Sequence, residues 1–224
     1  MCSSVLKKIF KHIIIFLVMY FYISNVIAQP MHDLNFHVPN FVNDIATEDR
    51  CIASSNDITY TYHQLHANLF QNQKKTELPA MSQIWQVICS APVKAMFVKV
   101  QLDASSENTS DTDPTKFGLG SVNRDGVLGS YRVKLDQASV DGQPVQLYST
   151  TSEKNVGRSQ SVLILQKDML YGWATQEDTP AKGQIFSVQI TILPILSNLK
   201  ETNGPLVHGA ELGGELILDF SFDH

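Results

Sequence analysis

The residues whose types and spacing can do chemistry are Cys51 and Cys89, His63 and His66, Asp111 and Asp113, and the tryptophans Trp85 and Trp173. Of the three cysteines Cys2 lies in the head, and the remaining even pair, in a chain bound for an oxidising compartment, reads as a disulfide. Closing the chain between them removes denatured-state entropy worth about 4 kcal/mol in the loop-closure model. Two free buried thiols or metal ligands are the competing reading. Metal is disfavoured because no second Cys or His sits at ligand spacing beside either cysteine. His63 and His66 follow the alternating segment Ile58–Tyr62. Three apart on a strand, they face opposite sides, which argues against a shared ion. Asp111 and Asp113 lie in a segment without the glycine and distal glutamate of a calcium loop, so solvated acids are expected there. No Gly-x-Ser-x-Gly stands in the chain, since Gly120-Ser121 lacks the flanking glycines. No motif marks a Ser/His/acid set either, so neither catalysis, a metal nor a cofactor is expected. Asn108-Thr109-Ser110 fits a glycosylation sequon, which matters only in a glycosylating host. Trp85 and Trp173 read as core residues; the alternative for Trp173, with Tyr171 nearby, is a sugar-stacking platform.

The elements that must position these residues repeat at period two. Ile58-Thr59-Tyr60-Thr61-Tyr62 alternates, and Trp85, Val87 and Cys89 share a face opposite Gln86. Met96, Val98, Val100 and Leu102 alternate with Lys99 and Gln101, and Tyr131, Val133 and Leu135 with Arg132, Lys134 and Asp136. Phe186, Val188, Ile190 and Ile192 alternate with Ser187, Gln189 and Thr191; Leu216, Leu218, Phe220 and Phe222 close the chain. Successive strand side chains point to opposite faces, so each segment has one apolar and one wet face, the signature of antiparallel sheets packed on each other. Arg124-Asp125-Gly126 and Asp141-Gly142 supply turn residues, and Ser105 to Pro114 reads as a solvated connector. The expected fold class is an all-β sandwich.

The head sets the compartment. Lys7, Lys8 and Lys11 precede the apolar run Ile13 to Ile23, and Val26-Ile27-Ala28 offers a small-residue exit before Gln29. Residues 1–28 thus read as a secretory signal peptide, with an uncleaved membrane anchor as the alternative. The head holds three of the 17 basic residues and none of the 22 acidic ones, which leaves 14 basic against 22 acidic, a net charge of −8. Such a balance argues against a nucleic-acid binder. A hydrophobic content of 43% with 17% charged residues excludes a disordered chain.

Short signals then run in order through residues 45–224. Cys51 precedes a tyrosine-bearing strand, and Leu78-Pro79 leads to Val87-Ile88-Cys89. Phe117-Gly118-Leu119-Gly120, Gly129-Ser130-Tyr131 and Asp141-Gly142 follow, then Trp173, Pro194 and a last strand at the end. In this order the chain resembles the pilin-type subunits of Gram-negative chaperone–usher fimbriae, and more closely a fimbrial-like family described mainly as a domain of unknown function. The resemblance implies an immunoglobulin-like sandwich short of one strand, whose groove is filled first by a periplasmic chaperone and then by the N-terminal extension of the next subunit. It implies an outer-membrane usher, other fimbrial subunits and a host or surface glycan as partners, and a route through the periplasm to the cell surface. Donor-strand exchange of this kind is β-augmentation, and an open sheet edge makes a partner obligatory.

Residues 29–44 are the candidate extension. Leu34, Phe36 and Val38 alternate with Asn35 and His37 as a groove-filling strand should, and Pro39 would mark its end. The same alternation suits the domain's own first strand, and periodicity does not identify whose edge is paired. At the other end Gly213-Gly214, Leu216, Leu218, Phe220 and Phe222 match in outline the terminal strand that chaperones read, although Asp223 holds the penultimate place. The function expected is an exported structural or adhesive fimbrial-like subunit; the alternative is a self-contained secreted carbohydrate-binding sandwich.

Overall fold

The alternating segments become strands. A computed structural model describes residues 34–38, 51–53, 58–62, 66–102, 112–175, 179–206 and 213–223. The expected leader, residues 29–33 and 39–44 of the expected extension, His63, Asn108, Asp111 and the connector's residues 105–111 lie outside the described residues. The first five strands are β1 (Leu34–Val38), β2 (Cys51–Ala53), β3 (Ile58–Tyr62), β4 (Thr76–Glu77) and β5 (Met81–Val93). Then come β6 (Ala95–Leu102), β7 (Phe117–Gly118), β8 (Ser121–Val122), β9 (Gly126–Val127), β10 (Gly129–Val140) and β11 (Gln143–Pro144). The chain continues through β12 (Gln146–Thr150), β13 (Val162–Ile164), β14 (Leu170–Ala174), β15 (Gly183–Leu196) and β16 (Gly213–Asp223). Among the described residues the only helical turn is the 3₁₀ piece Ala67–Leu69.

These strands form two large sheets. One has six strands in the order β12-β14-β6-β16-β1-β3. The other has eight: β11-β10-β15-β5-β2 form its path, β13 and β7 pair with β10, and β4 pairs with β15. A ribbon, β8-β9, stands apart. The inner faces share one core. Trp85 on β5 meets Phe220 on β16 with ring centroids 6.3 Å apart, and Trp173 on β14 meets Phe186 on β15 at 5.6 Å, both edge to face. Val87, Val98, Val133, Ile190 and Leu218 are buried around them. The chain is therefore an all-β sandwich, as the alternation requires.

The motifs behind the resemblance meet in space. Tyr131 lies opposite Phe117 and Ser130 opposite Gly118, so Phe117-Gly118-Leu119-Gly120 and Gly129-Ser130-Tyr131 are two sides of one ladder. Their rings pack at 5.4 Å, and the Leu119 amide donates to the Gly129 carbonyl. Gly129 is required by close approach, since a Cβ there would meet the Ile195 carbonyl oxygen at 2.3 Å. Asp141 and Gly142 take φ of 50° and 77° and turn β10 into β11 as expected. In the Arg124-Asp125-Gly126 turn the left-handed residues are instead Asn123 and Arg124, at φ 48° and 71°. Hairpin geometry decides which residues take positive φ, and a dipeptide signal fixes that only to within a position or so.

A second small cluster was not legible in the strand pattern. Ala95, Phe97, Tyr148 and Ala174 are buried together on the other face of the six-stranded sheet, with Val156 packed on them. The segment 151–160 crosses this face, and the Ser221 hydroxyl of β16 donates to Glu153 at 2.9 Å.

Candidate functional site

Strand β1 lies between the C-terminal strand β16 and β3. On one side Asn35, Phe36 and His37 pair in parallel with Gly213, Gly214 and Glu215 of β16. On the other, Leu34 to Val38 pair antiparallel with Tyr62 back to Ile58 of β3. Of the two pairings open to this segment, the structure holds the intramolecular one. Covalent attachment favours it, because a tethered strand is present at a high effective concentration. The parallel pairing with β16 also departs from the purely antiparallel expectation. Alternation reports which face a residue takes and carries no information on strand direction.

The expected groove edge at the C-terminal strand lies on β16, which stands between β6 and β1 in the six-stranded sheet, but the pairs with β1 end at Glu215, short of Leu216, Leu218, Phe220 and Phe222. β16 pairs with β6 from Leu216 to Asp223 and with β1 from Gly213 to Glu215. Leu218 and Phe220 are buried and Phe222 is half-buried against the core. Leu216 stands opposite Leu102 in the ladder.

The slot that β1 fills has β16 on one side and β3 on the other. Cys51 and Cys89 face each other across β2 and β5 and form the disulfide, with Cα atoms 3.9 Å apart and a sequence separation of 38. The bridge ties β2 into the eight-stranded sheet shortly before the chain enters β3. Tyr62, at the end of β3, is buried and its hydroxyl donates to the Pro79 carbonyl oxygen at 2.7 Å. Burial pushes the Tyr62 hydroxyl's pKa up to about 12. Tyr62 thus joins the wall to the segment leading into β5, a role that strand alternation alone does not reveal.

The other sequence candidates resolve individually. Trp173 is 2% exposed, and its indole N–H donates to the Ser187 carbonyl at 2.9 Å. Tyr171 is equally buried, its hydroxyl engaged with the Gln166 backbone, and burial raises its pKa to about 12. Neither ring presents a face to a ligand, which overturns the sugar platform: both are core residues satisfied from within. Asp113 accepts from the Thr115 hydroxyl and amide and pairs with Arg132 at 2.9 Å. Those hydrogen bonds, the Thr115 hydroxyl first, hold its carboxyl well below the usual range. Asp113 is therefore neutralised by a cation on the protein. His66 is exposed ahead of the 3₁₀ turn. Among the described residues no three His, Cys, Asp or Glu side chains are grouped to hold a metal.

What the slot offers is backbone hydrogen bonding to one extended segment. No protein-family model matches the chain, and no curated protein matches it.

Proposed function

We propose that this chain is an exported fimbrial-like subunit, structural or adhesive, that assembles by strand exchange. In this reading a periplasmic chaperone and an outer-membrane usher hand it to other subunits at the cell surface. The observation that carries the reading is the position of β1, an N-terminal segment inserted between the C-terminal strand and β3. It is held by three register pairs on one side and five on the other. A second copy carries the identical segment, so the ladder made in cis is available in trans with no change in its chemistry. Exchange then depends on local concentration and linker reach rather than on new contacts. Backbone bonds supply the affinity in such insertions, and alternate side chains supply specificity. The Tyr62–Pro79 bond supports the proposal in a second way, since it ties the end of β3 to the segment before β5 by a contact that does not involve β1.

The test compares the oxidised chain with and without residues 29–40. The full chain is expected to form polymers or to co-purify with a periplasmic chaperone. The shortened chain is expected to lose polymerisation and to regain stability when a peptide of residues 29–42 is added. A stand-alone monomer of equal stability in both forms, indifferent to the peptide, would remove the proposal.

A further inference from the structure

The six-stranded sheet ends on one side at β12, and a short length of the same chain lies along that end. After β12 the chain turns over residues 150–155, where the Thr150 hydroxyl and the Asn155 amide both donate to the Ser152 carbonyl oxygen. Glu153 reaches Ser221 of β16, and Val156 packs on the cluster of Phe97 and Tyr148. The chain then doubles back beside β12. Leu147 and Gln160 exchange both backbone bonds, at 2.8 and 2.7 Å, as an antiparallel pair. Backbone groups on one edge of a strand recur at every second residue, so Ser149 presents its own to the same side. Gly157 sits against them. A Cβ there would overlap the Ser149 carbonyl oxygen, so the close approach requires glycine.

The eight-stranded sheet is finished in the same manner at β10. That strand is 12 residues long, and the edge it turns away from β15 is met by three short pieces. β7 pairs at Ser130 and Tyr131, β13 at Lys134, Leu135 and Asp136, and β11 at Ser139 and Val140. The strap 151–160 runs between β12 and β13 and so links the two finished edges. Short edge strands and covering loops are how a sheet is kept from pairing with another chain. Lys154 and Arg158 are exposed on the strap, which places charge where a further strand would approach.

We infer that residues 156–160 are an edge guard, an autoinhibitory contact that occupies the backbone groups of β12 with which an added strand would pair. Strand addition to this sheet is thereby confined to the slot around β1. The confinement rests on the strand-exchange reading above; the guarding does not.

The test opens the edge in the full oxidised chain. Gly157→Val forces the segment off Ser149, and Gln160→Pro withdraws the donor to the Leu147 carbonyl. Amide exchange at Leu147 is expected to quicken about tenfold or more in each, while β15 keeps its protection and so reports an intact sandwich. In a pure sample an added strand can come only from a second copy. Sedimentation from about 10 to about 500 µM should therefore show self-association about tenfold or more stronger than in the unaltered chain. Adding Ser149→Pro to Gly157→Val removes an outward N–H from β12, a change that edge strands tolerate, and should abolish the gain. Excess peptide of residues 29–42 competes for the slot around β1 and leaves the β12 edge alone. A gain that this peptide removes belongs to strand exchange and overturns the inference. So does a freely exchanging Leu147 amide with no gain in association, or a Leu147 amide as protected in both variants as in the unaltered chain. An unaltered chain that neither polymerises nor responds to the peptide removes the strand-exchange reading and the confinement with it, while the guard is still decided by the variants.

Discussion

The β10-β15-β5 layer and the slot around β1 use the same alternating code with very different numbers of partners. β10, β15 and β5 are 12, 14 and 13 residues long, and β15 is paired along most of its length on both sides. β1 and β3 have five residues each, and β1 meets β16 through only three pairs. Long ladders backed by a shared core open only with global unfolding, whereas short ones open at lower cost. On ladder length alone, the slot should open at lower cost than the β10-β15-β5 layer.

Alkali should unfold the chain from the six-stranded sheet, which carries the slot. Tyr62, Tyr148 and Tyr171 have pKa values raised to about 12, chiefly by burial. The folded state thus holds these protons more tightly than the unfolded chain, whose tyrosines titrate near pH 10. Their contribution to stability is complete below pH 10 and is lost as pH rises through 12. Tyrosinate absorbance at 295 nm should show late titration steps coinciding with the loss of near-ultraviolet circular dichroism. A smooth titration near pH 10 in a chain that stays folded would contradict the burial assigned to these rings.

Trp85→Ala removes a ring that joins the two sheets and should cost about 3–5 kcal/mol in denaturant unfolding. Replacing Cys51 and Cys89 together by alanine should cost about 2–4 kcal/mol by releasing the denatured chain. It should also loosen β2, whose strand partner is β5, more than β15, a difference readable by hydrogen exchange. Phe36→Pro sharpens the comparison most directly. It removes a backbone donor in the middle of β1 and should cost about 1–2 kcal/mol, with lost amide protection confined to β1, β3 and the start of β16. Uniform loss across β5, β10 and β15 would show that the slot is not a separate unit. The smallest effect is expected of Glu153→Ala, an exposed bond to Ser221 worth about 0.5 kcal/mol or less by thermal melting.

Much of this architecture can be read from side-chain order, because a period of two assigns each residue to a face without knowledge of its neighbours. Trp85, Val87 and Cys89 are buried as their alternation requires, as are Tyr131, Val133 and Leu135. The disulfide also followed from cysteine parity and the exported reading of the head, and the structure contains it. Elsewhere both parities are apolar and the pattern loses its meaning. Ile84-Trp85 and Val87-Ile88 place isoleucines on the wet face, and Ala95 and Phe97 are buried on the face opposite Met96 and Val98. Trp173 shows the same limit from the other direction, since a tryptophan in a strand reads alike whether its ring stacks on a sugar or on Phe186.

By itself the amino-acid order determined the all-β class, the faces of the long strands, the turn at Asp141-Gly142 and the covalent pairing of Cys51 with Cys89. Tertiary structure alone decided that β1 enters between β16 and β3, that it runs parallel to β16, and that Gln160 returns to pair with Leu147 at the edge of β12. The reason is physical: facing is a local consequence of backbone geometry, whereas partner, direction and register depend on which distant strands together bury the most surface and leave the fewest backbone groups unpaired.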